Sequence, residues 1–319
     1  MSTPGPSPRR RLLRRAALTA VVVLAAFLAV AWSLRWSAPP GYTPADGITI
    51  RGTIADHDSR VGLLGPDDPY VLHIVPDRAA PPVARGELVY FGSLHSKDPE
   101  HPQQGELRRV WEKFRPTVAL VEGRMSFFVG TPRQGIGVFG EGATVYSMAR
   151  HDGIPLYTLE PPLEIELAAL QECGDRTQVA MFRVLNGYIS ARRGGEVSNF
   201  KIRRLLSKRA APLTDALPDI AALDAYFAAQ FPQSPAWRDM PEQAMWPSPG
   251  GTWLNAMARR SNQVRDDHFV RSLVDLVNRG ERVLAIAGRS HTVVWEPVLM
   301  ESLSLANYGD LSSPRPWEK

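Results

Sequence analysis

The chain of 319 residues holds a single cysteine, Cys173. One thiol cannot form an intramolecular disulfide, so a stapled scaffold and a CxxC redox pair are both excluded. Cys173 lies in LQECGDR, with no strand-to-helix elbow before it to present a nucleophile. Also missing is a basic stripe interleaved with aromatics. The formal net charge is +4, yet Arg9, Arg10, Arg11, Arg14 and Arg15 crowd the N-terminus and leave the remainder nearly balanced. Nucleic-acid binding thereby loses its main support. The nearest candidate, FKIRRLLSKR at 200–209, reads as an amphipathic helix with a solvated face. Internal repeats are absent. Hydrophobic residues make up 44% and charged residues 22% of the chain, which suffices for one large domain or two small ones around a sizeable core.

Charge is wholly absent from residues 16–34, AALTAVVVLAAFLAVAWSL. That length suffices for one helical crossing of a bilayer. Five arginines precede it and only Arg35 closely follows, which predicts an inside N-terminus. The expectation is a basic cytoplasmic tail (1–15), a transmembrane or signal-anchor helix (16–34), and a membrane partner reached through that helix. The C-terminal domain would then be periplasmic or extracellular, on a single-pass protein of the cell inner membrane. Cleavage after Ala31 is the alternative, and RRRLLR also resembles a twin-arginine export signal.

Residues 35–46, rich in proline, read as a linker. Residues 47–86 alternate as strands do in ITIRGTI and YVLHIV, and form either a small β-rich addition or an extra edge of the main sheet. From Glu87 the pattern becomes strand, helix, strand: ELVYFG, then GELRRVWEKF ended by Pro116, then TVALVEG. A middle region, 164–260, is mostly helical, a long helix spans 253–279, and RVLAIAG is a last buried strand. The predicted fold is α/β, a mostly parallel sheet covered by helices over 87–308, with a loose tail at 309–319.

Four of these strands finish on an ionisable group. YFGSLH ends on His95, AIAGRSH on His291, ALVEGR on Glu122 and Arg124, and YTLEPP on Glu160. In an open α/β sheet, groups leaving the carboxyl ends of strands share one crevice. A carboxylate after TVALV is costly unless it is paired, hydrogen-bonded or bound to a metal. The turn HSKDPEHP adds Asp98 and His101, and Arg265 in the late helix is placed to hold an anion or to orient Glu122. Each of these has an ordinary reading as well, as a loop or core histidine or a surface ion pair.

At these residues the chain resembles the superfamily of the TraB, pheromone-shutdown and GumN proteins and the Tiki proteins, related more distantly to the erythromycin esterases. The features are GSLH (92–95), VEGR (121–124), RD (265–266) and GRSH (288–291), within roughly 87–300. The resemblance implies that His95 and His291 match the two family histidines, Glu122 an acidic active-site position and Arg265 the late-helix arginine. Tiki-like members carry out metal-dependent proteolysis of an extracellular partner, whereas erythromycin esterases activate water against a lactone.

The expected function is therefore hydrolysis of a peptide or a small-molecule ester. In one version His95, Glu122 and His291, with His101 as a further candidate, hold one divalent ion such as zinc, manganese or cobalt. In the other a histidine activates water directly, oriented by Glu160 or Asp98, while Arg124 or Arg265 stabilises the oxyanion. A ligand-binding or regulatory protein using the same cleft is the alternative from outside enzymology.

Overall fold

The computed structural model describes residues 19, 21–23, 34–55, 64, 69–75, 86–192, 195–248 and 250–303. Its centre is a five-stranded sheet. The strands are β2 (Tyr70–Ile74), β3 (Glu87–Ser93), β4 (Val118–Val121), β6 (Leu156–Thr158) and β7 (Arg282–Gly288), in the spatial order β2-β3-β7-β4-β6. β7 runs parallel to both β3 and β4, β4 runs parallel to β6, and only β2 is antiparallel. VALV and VLAIA form the middle of the sheet because they have no polar side chain to expose: every residue of β4 is buried, and so are 283–288 of β7. A separate short ribbon joins β1 (Arg35–Trp36) to β5 (Phe128–Val129).

Helices cover both faces. One face carries α1 (Pro102–Phe114), α2 (Pro132–Phe139) and α3 (Glu141–Asp152), through Leu107, Trp111, Ile136 and Val145. The other carries α9 (Arg289–Ser302) and the C-terminal half of α8 (Trp253–Asn278), through Phe269, Leu273, Trp295 and Leu299. A third cluster contains no strand. It is built by α4 (Leu163–Gln171), α5 (Arg176–Arg192), α6 (Asn199–Arg209), α7 (Ile220–Gln230) and the first turns of α8. Thr252 and Asn255 form a capping box that starts α8. The helix thus passes from one core to the other, and its middle, residues 261–266, crosses the sheet rim.

The linker expectation for 35–46 needs revision, because this stretch is strapped along the domain. Trp36 is buried and stacks on Tyr146 at 4.6 Å, the Thr158 amide bonds the Pro40 carbonyl, and Tyr42 donates to Asp275 at 2.7 Å. Proline interrupts regular pairing but leaves carbonyls and aromatic rings to do the anchoring. ITIRGTI forms no strand either. Its isoleucines pack against the α8–α9 side of the core, while Ser302 and Arg271 take up its backbone polar groups. YVLHI does form a strand, the antiparallel edge of the main sheet.

The membrane expectation is corrected. Among the described residues no helix is long and apolar enough to cross a membrane. α8 has the length, at 26 residues, but carries Arg259, Arg260, Arg265 and Arg271. Of 16–33 only residues 19 and 21–23 are described; they are helical, and Val21, Val22 and Val23 are exposed. The described residues form a mixed, mostly parallel α/β sheet covered by helices, and among them nothing supports the expected transmembrane or signal-anchor helix, membrane partner or single-pass inner-membrane placement. The expected tails at 1–15 and 309–319 lie outside the described residues.

Candidate functional site

Because β3, β7, β4 and β6 are parallel, their carboxyl ends lie along one rim. His95 follows β3, Glu122 follows β4, Glu160 follows β6, and His291 sits in the first turn of α9 directly after β7. Glu122 is the centre of the group. His95 Nε2 lies 3.7 Å from its Oε2 and His291 Nε2 lies 3.6 Å from its Oε1. The Gly288 amide donates to Oε2 at 2.7 Å, and Arg265 Nη2 donates to Oε1 at 3.1 Å. Arg265 also forms a two-pronged contact with Glu160, at 3.0 and 2.8 Å. The opposed carboxylates outweigh the burial that would weaken its charge, so its pKa is held above the ordinary arginine range.

The two glycines of the Gly-x-x-His turns serve each other. A Cβ on Gly288 would stand 2.5 Å from His95 Nε2, so the second turn leaves the room that the first turn's ring fills. A Cβ on Gly92 would stand 2.8 Å from Arg289 Cα and overlap Thr292 Oγ1, so the first turn leaves room for the helix that carries His291. Each glycine is needed for a close approach of the other segment.

Two carboxylates have roles that the sequence reading does not assign. Glu141, at the start of α3, lies 2.9 Å from His95 Nδ1, and Asp266 lies 3.2 Å from His291 Nδ1. Asp266 is itself held by the Trp295 indole N–H at 3.0 Å, and the His291 ring lies 5.0 Å from the Trp295 ring. Asp266 was in view as half of the RD pair. Glu141 had no local signal beyond being an acid at a helix start, because only the packing of α3 turns it inward.

Other candidates do different work. The Asp98 carboxylate accepts the Glu100 amide, and His101 Nδ1 caps α1 by accepting the Gln103 amide at 3.3 Å, so both residues shape the turn. Glu160 orients Arg265 and accepts the Gly123 amide; it does not orient an imidazole. Arg124 bonds the Pro161 carbonyl and lies 3.9 Å from Glu166, on the side toward the helical cluster.

Burial alone would raise the Glu122 pKa, but His291, Arg265, His95 and the Gly288 amide outweigh it and pull the carboxyl down to about 2. A depressed carboxylate stabilises the fold above its unfolded pKa, near 4.5, and that stabilisation disappears as pH falls toward 2. The shift corresponds to something on the order of 3 kcal/mol. Urea unfolding of wild type and Glu122→Gln should therefore differ most above about pH 5 and converge on acidification. A difference that grows toward low pH would contradict this.

The donor set does not fit a metal ion. A shared ion needs ligand atoms about 2.0–2.2 Å from one point. Here the two histidines face different oxygens of Glu122, and a guanidinium and an amide already occupy both. Among the described residues no group of three His, Cys, Asp or Glu side chains is placed to hold one. Among the described residues nothing supports the expected zinc, manganese or cobalt site, and His101 lies at a helix cap. No family model matches the chain, and neither a curated protein nor a solved structure matches it.

Proposed function

We propose that the rim is the active site of a hydrolase in which an imidazole, without a metal ion, activates water against an ester or peptide carbonyl. The observation that carries this reading is the convergence of His95 and His291 on the two oxygens of one buried, charge-compensated glutamate. Its likeness to erythromycin-esterase chemistry rests on the same residues.

His95 is the base, because its side chain is 57% exposed while that of His291 is only 15% exposed. Its Nε2 takes a proton from water as the water oxygen attacks the carbonyl carbon. The carbonyl π pair moves onto oxygen, where the Arg265 guanidinium at the rim lowers the cost of the new charge. Collapse of the tetrahedral species breaks the bond to the leaving alkoxide or amine, which recovers the proton from His95. Glu122 faces both imidazoles, one at each of its oxygens, and keeps them turned to the cleft.

The test is turnover of a panel of aryl esters, lactones and quenched peptides by the full chain after treatment with a chelator. Turnover that survives chelation and falls by about 10²–10⁴-fold in His95→Ala is expected. Activity that appears only on adding zinc or manganese, or that is unchanged in His95→Ala, would overturn the reading. A ligand-binding protein would show no turnover and would keep its affinity in Glu122→Gln.

A further inference from the structure

We propose that Glu141 is the positioning residue of His95, fixing the tautomer in which Nδ1 carries the hydrogen and Nε2 presents its lone pair to the cleft. This rests on the reading of His95 as the base. Glu141 is the first residue of α3, where a carboxylate is ordinarily left in solvent to face the helix dipole. Here it is 7% exposed and turned inward. Its Oε1 accepts the Ser93 hydroxyl at 2.6 Å and meets His95 Nδ1 at 2.9 Å. Ser93 closes β3, so the last residue of the strand holds the carboxylate that orients the histidine two residues further on.

Two unusual backbone conformations serve this contact. His95 has φ 53°, in the left-handed region that a residue with a Cβ rarely adopts. Gly140, the cap of α3, has φ 66°, and a Cβ there would stand 3.2 Å from the Ser96 carbonyl oxygen. The glycine lets the 94–98 loop settle on the start of α3, and the left-handed turn at His95 swings the ring back onto Glu141. Strain of this kind persists where surrounding structure holds it, and it gathers at functional sites. An acid that merely favoured the helix dipole would need neither feature.

With Nδ1–H donated to Glu141, Nε2 is unprotonated and ready to take the water proton. In Glu141→Gln the side-chain amide offers the ring an N–H as well as a C=O. Turning the N–H toward Nδ1 fixes the opposite tautomer, with hydrogen on Nε2 and no lone pair for water. In Glu141→Ala Nδ1 loses this carboxylate, and Glu122, 3.7 Å from Nε2, is left to draw the hydrogen there.

The test uses full-length protein with histidine labelled at both ring nitrogens, at about pH 8, where an ordinary imidazole is neutral. The His95 signals are identified by their loss in His95→Gln. Wild type should show a hydrogen-bearing Nδ1 and a bare Nε2. Glu141→Ala and Glu141→Gln should both move toward the Nε2–H form, and His291 should be unchanged in both. Turnover should fall about 10²-fold or more in Glu141→Gln, in kcat with KM preserved. His95 shifts that do not change in a folded Glu141→Ala or Glu141→Gln would overturn the proposal. Tautomer changes as described in a protein that hydrolyses nothing would uphold the positioning role and remove the hydrolase reading.

Discussion

Replacing Arg265 with leucine lowers the free energy of unfolding by about 3–5 kcal/mol, the largest single-residue effect expected at the site. The cause is not mainly the loss of hydrogen bonds. Arg265 is the cation between two carboxylates whose side chains are only 18% and 9% exposed, Glu122 and Glu160. Without it Glu122 still has two imidazoles and the Gly288 amide beside it, but among the described residues Glu160 keeps the Gly123 amide as its hydrogen bond and only the His268 imidazole as a nearby charge partner. Adding Glu160→Gln to Arg265→Leu should therefore restore part of the stability, although the same change in the wild-type background removes a good ion pair. Urea denaturation of the four proteins closes the cycle. A loss below about 1 kcal/mol in the single variant, or no recovery in the double, would show that the carboxylates reach solvent more freely than their burial implies.

The second large effect belongs to Gly92→Ala. The added methyl would face the Arg289 Cα and the Tyr70 carbonyl oxygen, each 2.8 Å away, and these backbone atoms cannot rotate aside. α9 must lift off β3, at a cost of about 3 kcal/mol, the upper end for inserting a methyl into a packed core. Gly288→Ala is the control. Its methyl meets the His95 ring, 2.5 Å away at Nε2, which is the end of a side chain that can swing outward. That variant should unfold within about 1 kcal/mol of wild type yet lose as much turnover as His95→Ala. Equal stability losses in the two alanine variants would refute this asymmetry. Far-ultraviolet circular dichroism and thermal melts measure it directly.

The parts legible in the sequence are those fixed by short patterns. TVALV and VLAIA announce buried parallel strands because an all-apolar run of that length has no solvent face to offer. Parallel strands then bring whatever follows them to one rim, which is how His95, His291, Glu122 and Glu160 come to be neighbours. Proximity was readable, but role was not. Asp98 and His101 have the chemistry of ligands, yet they are consumed by a turn and a helix cap, the ordinary use of such residues next to a proline. Glu160 looked like a partner for histidine and is a partner for arginine. Glu141 depends on the direction in which α3 packs, which no local pattern encodes. The metal expectation finds no support among the described residues for a related reason: two histidines and a glutamate make a ligand set only where their donor atoms converge on one point, and here the imidazoles face different oxygens of a glutamate that Arg265, arriving from another helix, already holds.

The strand order has a consequence for how the protein comes into being. β7 lies between β3 and β4, although it follows both by well over a hundred residues of chain. On the ribosome β3 and β4 emerge early, each with an edge that no neighbour has yet covered, and they wait while the whole helical cluster is made. Only when 282–288 leave the exit tunnel can the central strand slot in, and the same few residues deliver Gly288 and His291 to the rim. Assembly of the sheet and completion of the site are thus one late event, dominated by long-range pairing and correspondingly slow. A nascent or truncated chain that ends before β7 carries His95 and Glu122 but has no means of joining them. It exposes two apolar strand edges to whatever holds unfinished proteins in solution.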